Sequence, residues 1–116
     1  MIKMGRGNNN FFKIEMLVLK LLSIKDFYGY ELTQLLKKLS NNNINIAEGT
    51  LYPILYKLLD QGYISDKKIL VTKRQSRIYY HIEDKGKIYL DSLNQEYLQM
   101  IDYINLIMQW KGENNE

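Results

Sequence analysis

The chain has 116 residues and a mass of 13.8 kDa, with 46% hydrophobic and 25% charged residues, one proline and no cysteine. That length suits one domain, the balance excludes a disordered or fibrous chain, and the lack of cysteine excludes a disulfide framework, thiolate catalysis and a structural zinc site. The formal net charge is only +3, yet residues 67–87 carry seven basic against two acidic groups and residues 88–116 one against five, so a basic segment is followed at once by an acidic one.

Residues 1–10 hold two glycines and the run Asn8-Asn9-Asn10, with nothing to bury, and read as a frayed arm closing on an asparagine cap. From there Phe11, Ile14, Leu17, Val18, Leu21 and Leu22 recur every three or four positions, which predicts an amphipathic helix ending near Ser23 or Ile24, with Lys13 and Lys20 on its wet side. Lys25 and Asp26 make a turn. A second helix opens at Tyr28-Gly29-Tyr30-Glu31, with Leu32, Leu35, Leu36 and Leu39 as its apolar stripe, and Asn41, Asn42, Asn43 and Asn45 force the loop that follows. A third helix starts at Gly49 or Thr50 and runs to Gln61, turning Leu51, Ile54, Leu55, Leu58 and Leu59 inward, and Gly62 stops it. Pro53 keeps the helix start close to Thr50, because proline loses no hydrogen bond only in the first turn.

Tyr63-Ile64 begins an extended stretch, and residues 77–82, rich in β-branched and aromatic side chains, form another. Between them Ile69-Leu70-Val71 and the polar run 73–77 predict a hairpin with a polar tip of undefined turn type. The last element is a helix over residues 84–110, about 40 Å long at 1.5 Å per residue. In it Leu90, Leu93, Tyr97, Met100, Ile104 and Ile107 make a heptad seam, widened by Ile101, Leu106 and Met108. Such a helix outruns a core of this size and needs a partner, either the rest of the domain or a second copy.

Three helices followed by a two-stranded hairpin is the order of a mainly α winged helix-turn-helix, in which the third helix enters the major groove and the wing touches the backbone. The chain accordingly divides into a winged-helix unit over residues 1–83 and a dimerisation helix over 84–116. Lys67, Lys68, Lys73, Arg74 and Arg77 then fall on the wing, where they can displace counterions from phosphates. A charged hairpin tip is often merely solvated, but this run sits where a wing belongs. On the third helix Thr50, Tyr52, Tyr56 and Lys57 lie opposite the leucines. Hydroxyls and tyrosine rings can bond phosphates or base edges, and half-buried packing against the wing is the competing use of Tyr52 and Tyr56.

The motifs Y-G-Y-E-L at 28–32, E-G-T-L-Y-P-I-L at 48–55, L-L-D-Q-G-Y-I at 58–64 and R-I-Y-Y-H-I-x-x-x-G at 77–86 resemble the PadR family of bacterial transcriptional regulators. That resemblance implies a homodimeric repressor, built on one long C-terminal helix, that binds double-stranded DNA at a near-palindromic operator. It places Thr50, Tyr52 and Pro53 at the DNA-facing start of the recognition helix, Lys57 one turn on, and Lys73, Arg74 and Arg77 on the basic wing. One position departs from the family pattern: Glu83 stands where a threonine precedes the long helix, and Asp84 is expected to take over as cap. Some short members hold flat aromatic effectors between their long helices, against a tryptophan at the position that here is Tyr97; Phe11, Met16 and Met100 are the expected neighbours. Packing in the seam is the plainer use of Tyr97, and Trp110 reads as an anchor closing the helix end.

Catalysis has no support. The single histidine, His81, has no second histidine for a metal pair, no phosphate-binding glycine loop is present, and neither metal nor cofactor is expected. No apolar run approaches a membrane span, and the first residues are too polar for a secretory segment, so a cytoplasmic protein is expected. The rival reading is a winged-helix module that dimerises but binds protein instead of DNA.

Overall fold

The computed structural model describes residues 12–113. The elements run α1 (Ile14–Leu22), β1 (Phe27–Tyr28), α2 (Gly29–Leu39), α3 (Glu48–Asp60), β2 (Ile64–Thr72), β3 (Gln75–Ile82) and α4 (Asp84–Gln109). This is the mainly helical winged helix-turn-helix read from the sequence, with one addition. The short β1 pairs antiparallel with β3, Phe27 opposite Tyr80 and Tyr28 opposite Tyr79, so the sheet has three strands in the order β1-β3-β2 where a two-stranded hairpin was expected. Two residues cannot display a period of two; only the tertiary pairing makes them a strand.

Every element feeds one core. Val18, Leu19 and Leu22 from α1, Leu32 and Leu36 from α2, Leu51, Leu55 and Leu58 from α3, Ile64, Tyr80 and Ile82 from the sheet and Leu93 from α4 are all buried. Each full burial of such a side chain is worth about 1.5–3 kcal/mol, so these contacts fix how α3 and the wing stand relative to one another. Leu39, expected to face inward, is exposed instead, at the point where α2 ends.

The helix ends follow local chemistry. Glu31 Oε1 accepts the Tyr28 amide at 3.2 Å, satisfying a donor at the start of α2. Beyond α2, Asn41 and Asn42 take positive φ of 54° and 65°, and their amides return to the carbonyls of Lys38 and Lys37, a left-handed close that asparagine tolerates. Gly62, at φ 77°, does the same for α3: its amide bonds Leu59 and the Tyr63 amide bonds Leu58, both at 3.0 Å. The first helix starts at Ile14 with Lys13 as its cap, whose carbonyl accepts the Met16 amide at 3.0 Å but whose side chain makes no cap bond, while Phe11 and the expected asparagine cap lie outside the described residues. Pro53 falls in the second turn of α3 rather than the first, so the carbonyl of Gly49 receives no amide from it.

At α4 the expectation for the cap is corrected. Glu83, not Asp84, is the cap residue, and its side chain does not cap: the carboxylate accepts Ser65 Oγ, while its amide donates to Tyr63 O at 3.0 Å. The next turn is pressed onto the end of α3. A Cβ on Gly86 would collide with the Tyr63 carbonyl oxygen, Tyr63 and Tyr89 stack at 4.3 Å and 12°, and Lys85 Nζ donates to Gln61 O at 2.8 Å. Here α4 is part of the core. Past Ile101 it leaves the core, and no described residue after 101 is buried.

Candidate nucleic-acid interface

The leucines of α3 point into the core, which turns Gly49, Thr50, Pro53, Tyr56 and Lys57 out to solvent. Tyr56 stands in the middle of this ridge and is 61% exposed. Tyr52 is half-buried: its ring lies on Gly29, where a Cβ would approach Cζ to 2.8 Å, so the glycine of the Tyr28-Gly29-Tyr30 motif is required by contact with α3. Burial first, and then the Glu48 carboxylate, push the Tyr52 phenol above its ordinary range. Tyr56 tilts over it, ring centroids 6.3 Å apart. Tyr52 thus supports the ridge from below, and Tyr56 is the tyrosine that reaches outward.

The wing, β2 with β3, pairs from Ile64 opposite Ile82 to Thr72 opposite Gln75, with a register shift between Leu70 and Thr72. Lys73 and Arg74 occupy the two-residue tip, where Thr72 Oγ1 accepts the Arg74 amide at 3.3 Å. Both are exposed, as are Lys67 and Lys68. Arg77 differs. Its guanidinium lies 4.4 Å over the Tyr28 ring, and Tyr28 meets Tyr79 edge-on at 5.4 Å, so β1 holds this cation in place on the sheet. A groove of about 330 Å³ separates Tyr52 and Tyr56 of α3 from Asp66, Ser76 and Arg77 of the wing. Tyr80 lies at its foot, its phenol pushed up to about 12, chiefly by burial.

Of the expected contacts Tyr52 and Arg77 line this groove; Thr50 and Pro53 are exposed elsewhere on α3 and Lys73 and Arg74 at the wing tip, while Lys57 has its Nζ 3.7 Å from Glu15 Oε2. Sequence reasoning left Tyr56 balanced between contact and packing, and it did not anticipate the exposed apolar residues of the wing. Tyr56 shares a face with Gly49 and Pro53 at spacings of seven and three, a signal present in the sequence but outweighed by the motif around Tyr52. The wing also exposes Ile69, Leu70, Val71 and Ile78 beside its cations.

A second groove, of about 350 Å³, runs between α1 and α4, with Met16, Leu17 and Lys20 on one side and Leu90, Asp91 and Asn94 on the other. Met16, one of the residues read as effector-facing, lines it; Tyr97 and Met100 lie further along α4, and Phe11 is outside the described residues. The predicted seam divides: Leu93 is 5% exposed in the chain's own core with Leu90 and Tyr97 packed against it, whereas Met100, Ile104 and Ile107 are open to solvent. His81 Nδ1 meets Asp26 Oδ1 at 2.8 Å, and neither residue lines either groove. Among the described residues no three acidic or histidine side chains cluster as a metal site would require, and no helix is long and apolar enough to cross a membrane.

The family model that matches, over residues 18–92, is that of the transcriptional regulator PadR-like family. An uncharacterized protein of Lysinibacillus sphaericus is 33% identical over 96 residues, 83% of this chain and 88% of its own length. Among solved structures, a transcriptional regulator of Clostridium thermocellum superposes with a TM-score of 0.75 at 30% identity, covering 79% of this chain and 89% of that one. Bacillus subtilis PadR in complex with operator DNA shares the fold, with a TM-score of 0.63 at 19% identity over 89% of this chain and 52% of its own.

Proposed function

The chain belongs to the PadR-like family of transcriptional regulators, which are not enzymes, and we propose that it acts as a homodimeric, ligand-responsive repressor of a near-palindromic operator. One observation carries the reading: Tyr52 and Tyr56 of α3 and Arg77 of the basic wing line a single groove. Thr50, Pro53 and Tyr56 then meet the major groove, with Tyr52 bracing them and Lys57 on the flank, while Lys73, Arg74 and Arg77 hold phosphates. The Bacillus subtilis relative, bound to operator DNA in its structure, supports the same use of the fold.

The dimer rests on the open half of the α4 seam, Met100, Ile104 and Ile107, with Leu90, Leu93 and Tyr97 joining it to the domain core. The effector is a planar aromatic molecule in the α1–α4 groove beside Met16, reaching toward Tyr97 and Met100 across the dimer. The exposed apolar residues of the wing favour the second reading, a protein-binding module.

Fluorescence anisotropy with duplex DNA from upstream of the gene separates the two. A repressor binds it in the nanomolar range, well above mixed-sequence DNA, and log affinity falls with log salt by about 0.9 per phosphate engaged. Replacing Lys73, Arg74 and Arg77 together by alanine flattens that slope. Equal binding to both duplexes at every salt concentration defeats the specific-repressor reading. For the effector, thermal melting against a panel of planar aromatic cations and phenolics should raise the transition and alter DNA affinity together; a panel without effect on either removes the ligand from the proposal.

A further inference from the structure

The ion pair of Lys57 joins three helices. Its partner Glu15 lies in the first turn of α1, and the pair is lopsided: the Lys57 side chain is 58% exposed, that of Glu15 only 13%. Tyr89 of α4 lies within reach of both charges. Burial first, and the Glu15 carboxylate next, raise its phenol, while Lys57 acts in the opposite sense. A largely covered carboxylate left unpaired costs more than an exposed ammonium that water can solvate, so Glu15 depends on the pair more than Lys57, which can exchange one anion for another.

We propose that Glu15 is a latch that withholds Lys57 from the DNA backbone, so that the recognition helix keeps one phosphate contact in reserve and α1 decides whether it is used. The latch rests on the DNA-binding reading above and adds to it a route from the α1–α4 groove to α3. Met16, the residue after Glu15, lines that groove, so a molecule lodged there presses on the turn that holds the lysine.

The test is a salt titration of binding to a labelled duplex of mixed sequence, about 30 base pairs long, because the backbone term needs no operator. In the parent chain Lys57→Ala should leave the slope of log affinity against log salt unchanged. Glu15→Gln should steepen it by about 0.9 per subunit engaged and tighten binding about two- to fivefold, the scale of an exposed ion pair. The double variant Glu15→Gln/Lys57→Ala should return to the parent slope. A parent slope that falls on Lys57→Ala, or a tightening by Glu15→Gln that survives loss of Lys57, overturns the latch and leaves the DNA reading intact. A slope that falls in the Lys57→Ala arm overturns the latch even if Glu15→Gln loosens the fold. A parent chain with no salt-dependent affinity overturns both.

Discussion

The two halves of α4 have similar apolar periodicity and opposite surroundings. Its first turns are pressed onto the end of α3, where Gly86 touches the Tyr63 carbonyl, Tyr89 stacks on Tyr63 and Leu93 enters the core. Its last turns carry Ile104, Leu106, Ile107, Met108 and Trp110 into solvent, Met108 being 75% exposed. The periodicity of a seam says which face is apolar and not what covers it. In the first half the cover is the chain's own domain, and the second half is available to another copy.

The contrast predicts that substitutions in the first half act on folding and those in the second on association. Gly86→Val should be the most damaging, because its side chain has to displace a backbone carbonyl; a loss of about 4 kcal/mol or more would leave a small domain largely unfolded by circular dichroism. Melting within a few degrees of the parent would mean that α4 is not clamped at its start. Leu93→Ala should cost about 3 kcal/mol, lowering the urea midpoint with little change in slope.

The core that receives α4 should also show a pH signature. Tyr80 titrates near 12 when folded and near 10 when unfolded, so its contribution is complete below pH 10 and fades as pH rises toward 12, by about 2 to 3 kcal/mol. Tyr80→Phe should remove that part of the alkaline loss, and identical pH curves for the two chains would contradict the burial. The smallest effect on the single chain belongs to Ile104→Glu. At low protein concentration it should melt within about 2 °C of the parent, as surface changes do. The parent should sediment at twice the monomer mass and melt higher with concentration, and the variant should do neither. A variant that stays dimeric would move the interface elsewhere.

The helices were legible because each carries its own period and its own stop, as Gly62 does for α3. What stayed hidden depends on contact between distant residues. Strand β1 exists only through its pairing with β3, and Glu83 becomes the cap because Tyr63 and Ser65 already engage it. Around the candidate site the basic wing could be placed from charge together with element order, yet the division of labour between the two tyrosines could not. Tyr52 stands in the stronger motif, but the missing side chain of Gly29 draws its ring inward and leaves Tyr56 outside. The Lys57–Glu15 pair spans α3 and α1, and no local pattern announces it.

The only tryptophan stands at the far end of α4, 69% exposed and beyond the last helical residue. The chain therefore carries a single indole fluorophore placed away from its own core. Unfolding the domain changes the indole's surroundings little, whereas a second chain laid over the helix end would shift its emission to the blue. Emission and far-ultraviolet dichroism thus report separate events, and their midpoints should part company as the solution is diluted.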